Sequence, residues 1–169
     1  MALNCRIEKD GSLTVSSGTA YLIRNMYPGI DGHSLHVIRI IKEENKVVWE
    51  TVHGKVACSL HEEEESFELE FSLDNYTGPI HTLYFFYQAD IRAEGFYQAA
   101  EGMGGDTGYY GKNSMLERGT IVSYGLCSLK LPGGHALTIY PVSQKHYETV
   151  CEVNARENVK YTDGSGKHS

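Results

Sequence analysis

Residues 67–73 read Phe-Glu-Leu-Glu-Phe-Ser-Leu, with a large apolar side chain at every second position and an acidic or polar one between. Successive side chains of a β-strand point to opposite faces, so this alternation predicts a strand with one buried and one solvated face. The same period of two recurs in about ten further runs that are rich in β-branched and aromatic residues. No comparable stretch carries the apolar stripe of an amphipathic helix.

Groups of turn residues separate these runs and supply the backbone conformations that hairpins need. Short turns between short strands imply that consecutive strands pair in an antiparallel manner. The sequence therefore predicts an all-β fold, an antiparallel sandwich or flattened barrel of about eight to ten strands with one long Gly-rich loop. The predicted turns are Asp10-Gly11, Pro28-Gly29, Asp31-Gly32, Glu43-Glu44-Asn45 and Pro132-Gly133-Gly134.

The composition is that of one ordinary globular domain, with 169 residues of which 41% are apolar and 22% charged. A chain of this length can bury about two thirds of the surface it exposes when unfolded. We predict a single β domain over residues 1–154. Residues 155–169 are polar and end in Gly-Ser-Gly-Lys-His-Ser, which is typical of a flexible tail.

The chain is acidic, with a formal net charge of −7 at pH 7, and it has no run of Lys and Arg. Its average surface potential repels phosphate backbones, so no nucleic-acid partner is expected. No apolar run approaches the roughly 20 residues of a spanning helix, and no leader-like apolar segment opens the sequence. The pattern favours a cytoplasmic protein without a transmembrane segment.

The four cysteines, Cys5, Cys58, Cys127 and Cys151, lie far apart in sequence and form no CxxC pair. Each falls in line with the apolar residues of its strand when the sequence is read with a period of two. We expect reduced, mostly buried thiols that behave as small apolar side chains.

Motifs for catalysis, cofactor binding and metal binding do not fit the sequence. His33 and His36 come nearest to a metal-ligand pair, but three residues apart in a strand they point to opposite faces. No Gly-x-Ser-x-Gly nucleophile elbow occurs, and Gly105–Asn113 has the wrong spacing for a phosphate-binding loop. We therefore assign no catalytic residue, cofactor or metal ion, and a non-enzymatic protein is expected.

Residues 99–119 break the alternation with six glycines among tyrosines and methionines. Long loops of this kind inside a compact domain often carry a binding function. A plain surface loop, and tyrosines that pack in the core, are the structural alternatives. The residues predicted to form an interface or a ligand-binding surface are Tyr97, Met103, Asp106, Tyr109, Tyr110, Met115 and Leu116.

Two hypotheses for function follow. The first is a non-enzymatic β module that acts through self-association or protein–protein contacts, as a structural subunit, assembly protein or adaptor, and it predicts a homo-oligomer. The alternative is a closed β-barrel that binds or isomerises a small, largely apolar ligand.

Residues 90–97 and 104–109 resemble the pattern of allene oxide cyclase and dirigent-type barrels, which place a Gly-x-Tyr strand before a Gly-Gly-[Ser/Thr]-Gly turn. The resemblance covers about twenty residues and implies a closed barrel of the kind in the second hypothesis. The spacing is shorter here, and Asp106 interrupts the glycine turn.

Overall fold

A computed structural model describes residues 2–81, 83–91, 93–98, 108–111, 120–124, 127–140, 150–154 and 160–163. In this part of the chain the regular structure is β-strand, apart from one 3-10 turn at Pro132–Gly134. Every strand pairing in it is antiparallel. The predicted all-β, antiparallel class is confirmed.

The described residues form sixteen strands. In chain order they are β1 (Leu3–Ile7), β2 (Leu13–Ser17), β3 (Ala20–Ile30), β4 (His33–Ser34), β5 (Val37–Lys42), β6 (Lys46–Thr51), β7 (Gly54–Glu62), β8 (Phe67–Asp74), β9 (Leu83–Ile91), β10 (Gly95–Gln98), β11 (Gly108–Gly111), β12 (Thr120–Tyr124), β13 (Cys127–Leu131), β14 (His135–Ile139), β15 (Val150–Asn154) and β16 (Lys160–Asp163).

These strands form three sheets. The first sheet has the order β1-β2-β3-β9-β16-β15-β12, with β4 paired to β3. The second sheet is the meander β5-β6-β7-β8, and the third has the order β11-β10-β13-β14. Among the described strands the two ends of the first sheet, β1 and β12, do not pair with each other, so the sheet stays open. The architecture is sandwich-like, and the closed barrel of the alternative hypothesis is wrong.

One hydrophobic core joins the inner faces of all three sheets. The alternation of apolar and polar residues in each strand explains this, because every second side chain turns away from water. The core draws Leu13, Val15, Ile23 and Met26 from the first sheet, Val47, Trp49, Val56 and Cys58 from the second, and Phe96, Leu129, Leu131 and Leu137 from the third.

Strand β3 continues through the predicted turn at Pro28-Gly29, and that prediction is wrong. Pro28 lies where the register of β3 against β9 shifts. Proline has no backbone N–H to donate, so a strand tolerates it at such an irregularity. The next predicted turn, Asp31-Gly32, is where the chain does turn, and Gly32 has φ +80° there.

The strand count exceeds the predicted eight to ten because the short strands β4 and β10 were not predicted and because of three further differences. The predicted run over residues 120–131 divides into β12 of the first sheet and β13 of the third. Gly108–Gly111, inside the predicted loop, form the edge strand β11. Lys160–Asp163, inside the predicted tail, pair as β16 with β15. The domain boundary at residue 154 stays a prediction, and the rest of the tail lies outside the described residues.

Two of the four cysteines, Cys5 and Cys58, have described side chains, and both are buried and free. Burial, with a smaller contribution from Glu62, raises the pKa of Cys5 to about 12. Burial likewise raises the pKa of Cys58, with a smaller contribution from Cys5, whose strand β1 contacts β7. The prediction of buried thiols is confirmed for this pair.

We predict that Cys5 and Cys58 do not react in the folded protein. The test variant carries Cys127→Ser and Cys151→Ser, so that only the buried pair remains. Thiolate is the reacting species, and both the raised pKa and burial keep its population low. An aromatic disulfide reagent at mildly alkaline pH should label neither thiol in native protein and both in denaturant. Rapid labelling of either native thiol would show that the contact between β1 and β7 is open.

Candidate functional site

The third sheet has a buried face and an exposed face. Phe96, Leu129 and Leu137 are opposite one another on β10, β13 and β14, and all three are buried. The residues that follow or precede them in sequence must therefore lie on the outer face. This face carries the aromatic residues that the sequence singled out.

A row of four hydroxyl-bearing residues crosses the outer face, and we call it the tyrosine row: Tyr109, Tyr97, Ser128 and Thr138. Register places Tyr109 opposite Tyr97, Tyr97 opposite Ser128, and Ser128 opposite Thr138. The two tyrosine rings lie 4.6 Å apart between centroids at an interplanar angle of 41°. They are 43% and 46% exposed, although they contact each other. The Ser128 and Thr138 hydroxyl oxygens are 3.0 Å apart and share a hydrogen bond.

A glycine positions the ring of Tyr109. Gly95 lies diagonally across from Tyr109, and a Cβ atom added at Gly95 would be 2.6 Å from Cε2 of that ring. The ring therefore occupies the space that a side chain at position 95 would need. Aromatic side chains that cover a glycine on a neighbouring strand restore the packing that the glycine lacks. This contact positions the Tyr109 ring over Gly95 and beside Tyr97.

The structure brings together two of the predicted contact residues, Tyr97 and Tyr109. Tyr110 belongs to β11, but its side chain lies outside the described part of the structure. Met103, Asp106, Met115 and Leu116 also lie outside the described residues, so their roles stay predictions.

Ser128 and Thr138 were not predicted as members of a site. Alternation in residues 127–139 does place both on the polar face of their strands. The pairing of β10 with β13, however, joins segments about thirty residues apart, and no local pattern encodes that neighbour.

A second candidate site is a cavity of about 310 Å³ at the edge of the second sheet, which we call the Trp49 cavity. Its volume is near the lower end of the range for small-molecule sites. The lining is mostly apolar or aromatic, and the polar residues Asp10 and Ser34 complete it. The apolar and aromatic lining residues are Tyr27, Pro28, Leu35, Val37, Ile40 and Trp49.

The polar rim of the Trp49 cavity is organised by the β1–β2 hairpin. The Asp10 carboxylate accepts hydrogen bonds from the Ser12 backbone N–H at 3.0 Å and the Ser12 hydroxyl at 2.7 Å. These bonds, led by the hydroxyl, lower the pKa of Asp10, so the carboxylate is ionised at neutral pH. The Tyr27 hydroxyl donates to the Asp10 carbonyl oxygen at 3.3 Å. Burial raises the pKa of Tyr27, and Asp10 adds to the effect.

The other features of the structure give weaker indications of a functional site. A wider cavity of about 400 Å³ lies between the N-terminal strand and β14, but the carboxylates beside it, Glu64 and Glu65, are exposed to water. Within the described ranges no three His, Cys, Asp or Glu side chains are grouped to hold a metal ion. No helix in the described chain has the length and apolar character needed to cross a membrane.

No protein family model matches this chain, and no curated protein or solved structure matches it.

Packing of Tyr109 on Gly95 gives a stability prediction. Gly95→Ala should destabilise the protein by about 1 kcal/mol, the low end of the range for overpacking, because the new Cβ displaces a tyrosine ring that is half-exposed and can move outward. Gly111→Ala is the matched control, since the nearest Tyr109 atom is 3.8 Å from the added Cβ and needs no displacement. Urea unfolding would measure both variants.

The double variant Gly95→Ala with Tyr109→Ser separates this clash from other effects. It should be less destabilised than the sum of its two single variants, because the clash is absent once the ring is removed. Equal stabilities for Gly95→Ala and Gly111→Ala would refute the contact.

Proposed function

We propose that this protein is a non-enzymatic β module that works by protein–protein association, with the tyrosine row at the centre of the contact and a second copy of the chain as the partner. The observation that carries the proposal is the half-exposed pair of Tyr97 and Tyr109 on the open face of the third sheet. The packing of Tyr109 on Gly95 supports a surface that is already organised before a partner arrives.

The chemistry of the row suits a protein contact. Tyrosine offers a large, rigid area with a polar tip and loses little conformational entropy when it is buried. Ser128 and Thr138 add short hydroxyl groups that can donate to or accept from a partner backbone. Tyrosine is also enriched among the few residues that dominate binding energy at protein interfaces.

The size of the row limits its role to an anchor. The exposed parts of the two tyrosines together offer roughly 200 Å². A stable protein–protein contact usually buries about 800 Å² on each partner, so most of the interface must come from residues around the row. This is the usual arrangement of a small energetic centre within a larger contact.

The charge of the chain favours such a neutral patch for self-association. Two copies with a formal charge of −7 each repel one another at long range. The tyrosine row contains no carboxylate, and the next row on the same face holds Gly95, Lys130 and Ala136 across β10, β13 and β14. Neither row contains an acidic residue, so a contact between two copies centred on these rows avoids repulsion between carboxylates there.

The test compares two exposed side chains on different sheets. Tyr97→Ser removes an anchor of the row but leaves Tyr109 on Gly95, and Ile38→Ser removes an apolar side chain that is 67% exposed on β5 of the second sheet. Sedimentation velocity over about two orders of magnitude in concentration should show a homo-oligomer for the parent protein. Tyr97→Ser should raise the dissociation constant at least about tenfold, as expected for the loss of an interface anchor.

Ile38→Ser should leave the association unchanged. Circular dichroism would confirm that both variants fold. A parent protein that remains monomeric at every concentration, or equal effects of the two substitutions, would contradict the proposal.

A further inference from the structure

The indole N–H of Trp49 has no hydrogen-bond partner among the described residues, although the Nε1 atom is buried. A buried donor without an acceptor costs about 1–3 kcal/mol, and native proteins rarely leave one unpaired. Trp49 is also part of the lining of the Trp49 cavity. An orphaned donor beside a cavity points to a ligand that supplies the acceptor.

Ile40 and the indole N–H of Trp49 both lie beside Gly11. The position where a Cβ of Gly11 would stand is 3.0 Å from Trp49 Nε1 and 3.0 Å from Ile40 Cγ2, so both groups share the space beside Gly11. Ile40 lies on the edge strand β5 and is 38% exposed, and it lines the cavity as well. Trp49 has no exposed surface, so a ligand in the cavity reaches Nε1 only if the Ile40 side chain changes its rotamer toward solvent.

The remaining walls define the chemistry of the ligand. Pro28, Leu35 and Val37 present aliphatic surface, and the volume of about 310 Å³ corresponds to roughly ten water molecules of liquid. The ionised Asp10 carboxylate at the rim repels anions. A cation without an acceptor would leave the indole N–H unpaired, whereas a carbonyl oxygen accepts from it and brings no new donor that needs a partner.

We propose that the Trp49 cavity binds a small, neutral, mostly apolar carbonyl compound, whose carbon skeleton packs on Pro28, Leu35 and Val37 and whose oxygen accepts a hydrogen bond from Trp49 Nε1. Apolar burial supplies most of the affinity, and the single hydrogen bond supplies the selectivity. The inference is independent of the association proposed above, because it uses a different sheet and different residues.

The probes are cyclohexanone and methylenecyclohexane, which have nearly the same shape but differ in the acceptor. Trp49 is the only tryptophan in the chain, so a ¹⁵N-labelled sample gives a single indole N–H signal. Cyclohexanone should shift this signal in a saturable manner, with the change expected for a new hydrogen bond. Methylenecyclohexane should produce a much smaller shift at saturation.

Trp49→Phe isolates the hydrogen bond from the apolar contacts. This substitution should weaken cyclohexanone binding about fivefold more than methylenecyclohexane binding, because only the ketone loses a hydrogen bond. Ligand-observed NMR can measure both dissociation constants, and circular dichroism would report whether the variant folds.

Two substitutions on β5 test the location. Val37→Lys places a charged chain in the cavity wall and should abolish binding of both probes. Ile38→Lys is the matched control, since Ile38 is 67% exposed and does not line the cavity, and it should bind as the parent does. The proposal is overturned if the indole signal of the parent responds to neither probe, responds equally to both, or is unaffected by Val37→Lys. The first two results are measured on the parent protein and therefore do not depend on whether a variant folds.

Discussion

Trp49 is packed without exposed surface against the Asp10-Gly11 hairpin, and this contact joins the first sheet to the second. Gly11 has φ +79°, and an added Cβ would stand 3.0 Å from Nε1 of the indole. Both the backbone conformation and the close approach therefore require glycine at this position. The hairpin in turn sets the register of β1 on β2, which turns Cys5, Ile7, Leu13 and Val15 toward the second sheet. The shared core depends on this one junction.

The same junction explains the unusual edge of the second sheet. Ile40 is opposite Trp49, so the two side chains share the inner face, while Arg39 lies opposite Glu50 on the outer face. A register shift between Val37 and Arg39 leaves the intervening residue without a partner in the ladder. Val37 thus returns to the inner face beside Ile40. The register of β5 on β6 therefore produces both the aliphatic wall of the Trp49 cavity and the charged outer face of the two strands.

Local alternation carried most of the information that the sequence held about the fold. Residues 67–73 form β8 as expected, and the Asp10-Gly11 turn is where the pattern placed it. The predicted turn at Pro28 is wrong because the effect of a proline depends on whether the neighbouring strand requires a backbone N–H at that position. The pairing of the sheet decides this, and the local sequence does not. Gly108–Gly111 show no alternation at all, and their pairing with β10 depends on Gly95 across the ladder, where a Cβ would clash with the Tyr109 ring.

The sequence indicated part of the tyrosine row but gave no indication of the Trp49 cavity, and the difference has a physical reason. Tyr97 and Tyr109 could be named because tyrosine-rich, glycine-rich segments are compositionally unusual, and only their alignment with Ser128 and Thr138 needed the structure. The Trp49 donor had no such signal, since a lone tryptophan in an alternating strand looks like any core residue. Its lack of an acceptor is defined by what surrounds it in three dimensions. The flat row is suited to another protein surface, whereas the concave cavity with one donor is suited to a small molecule.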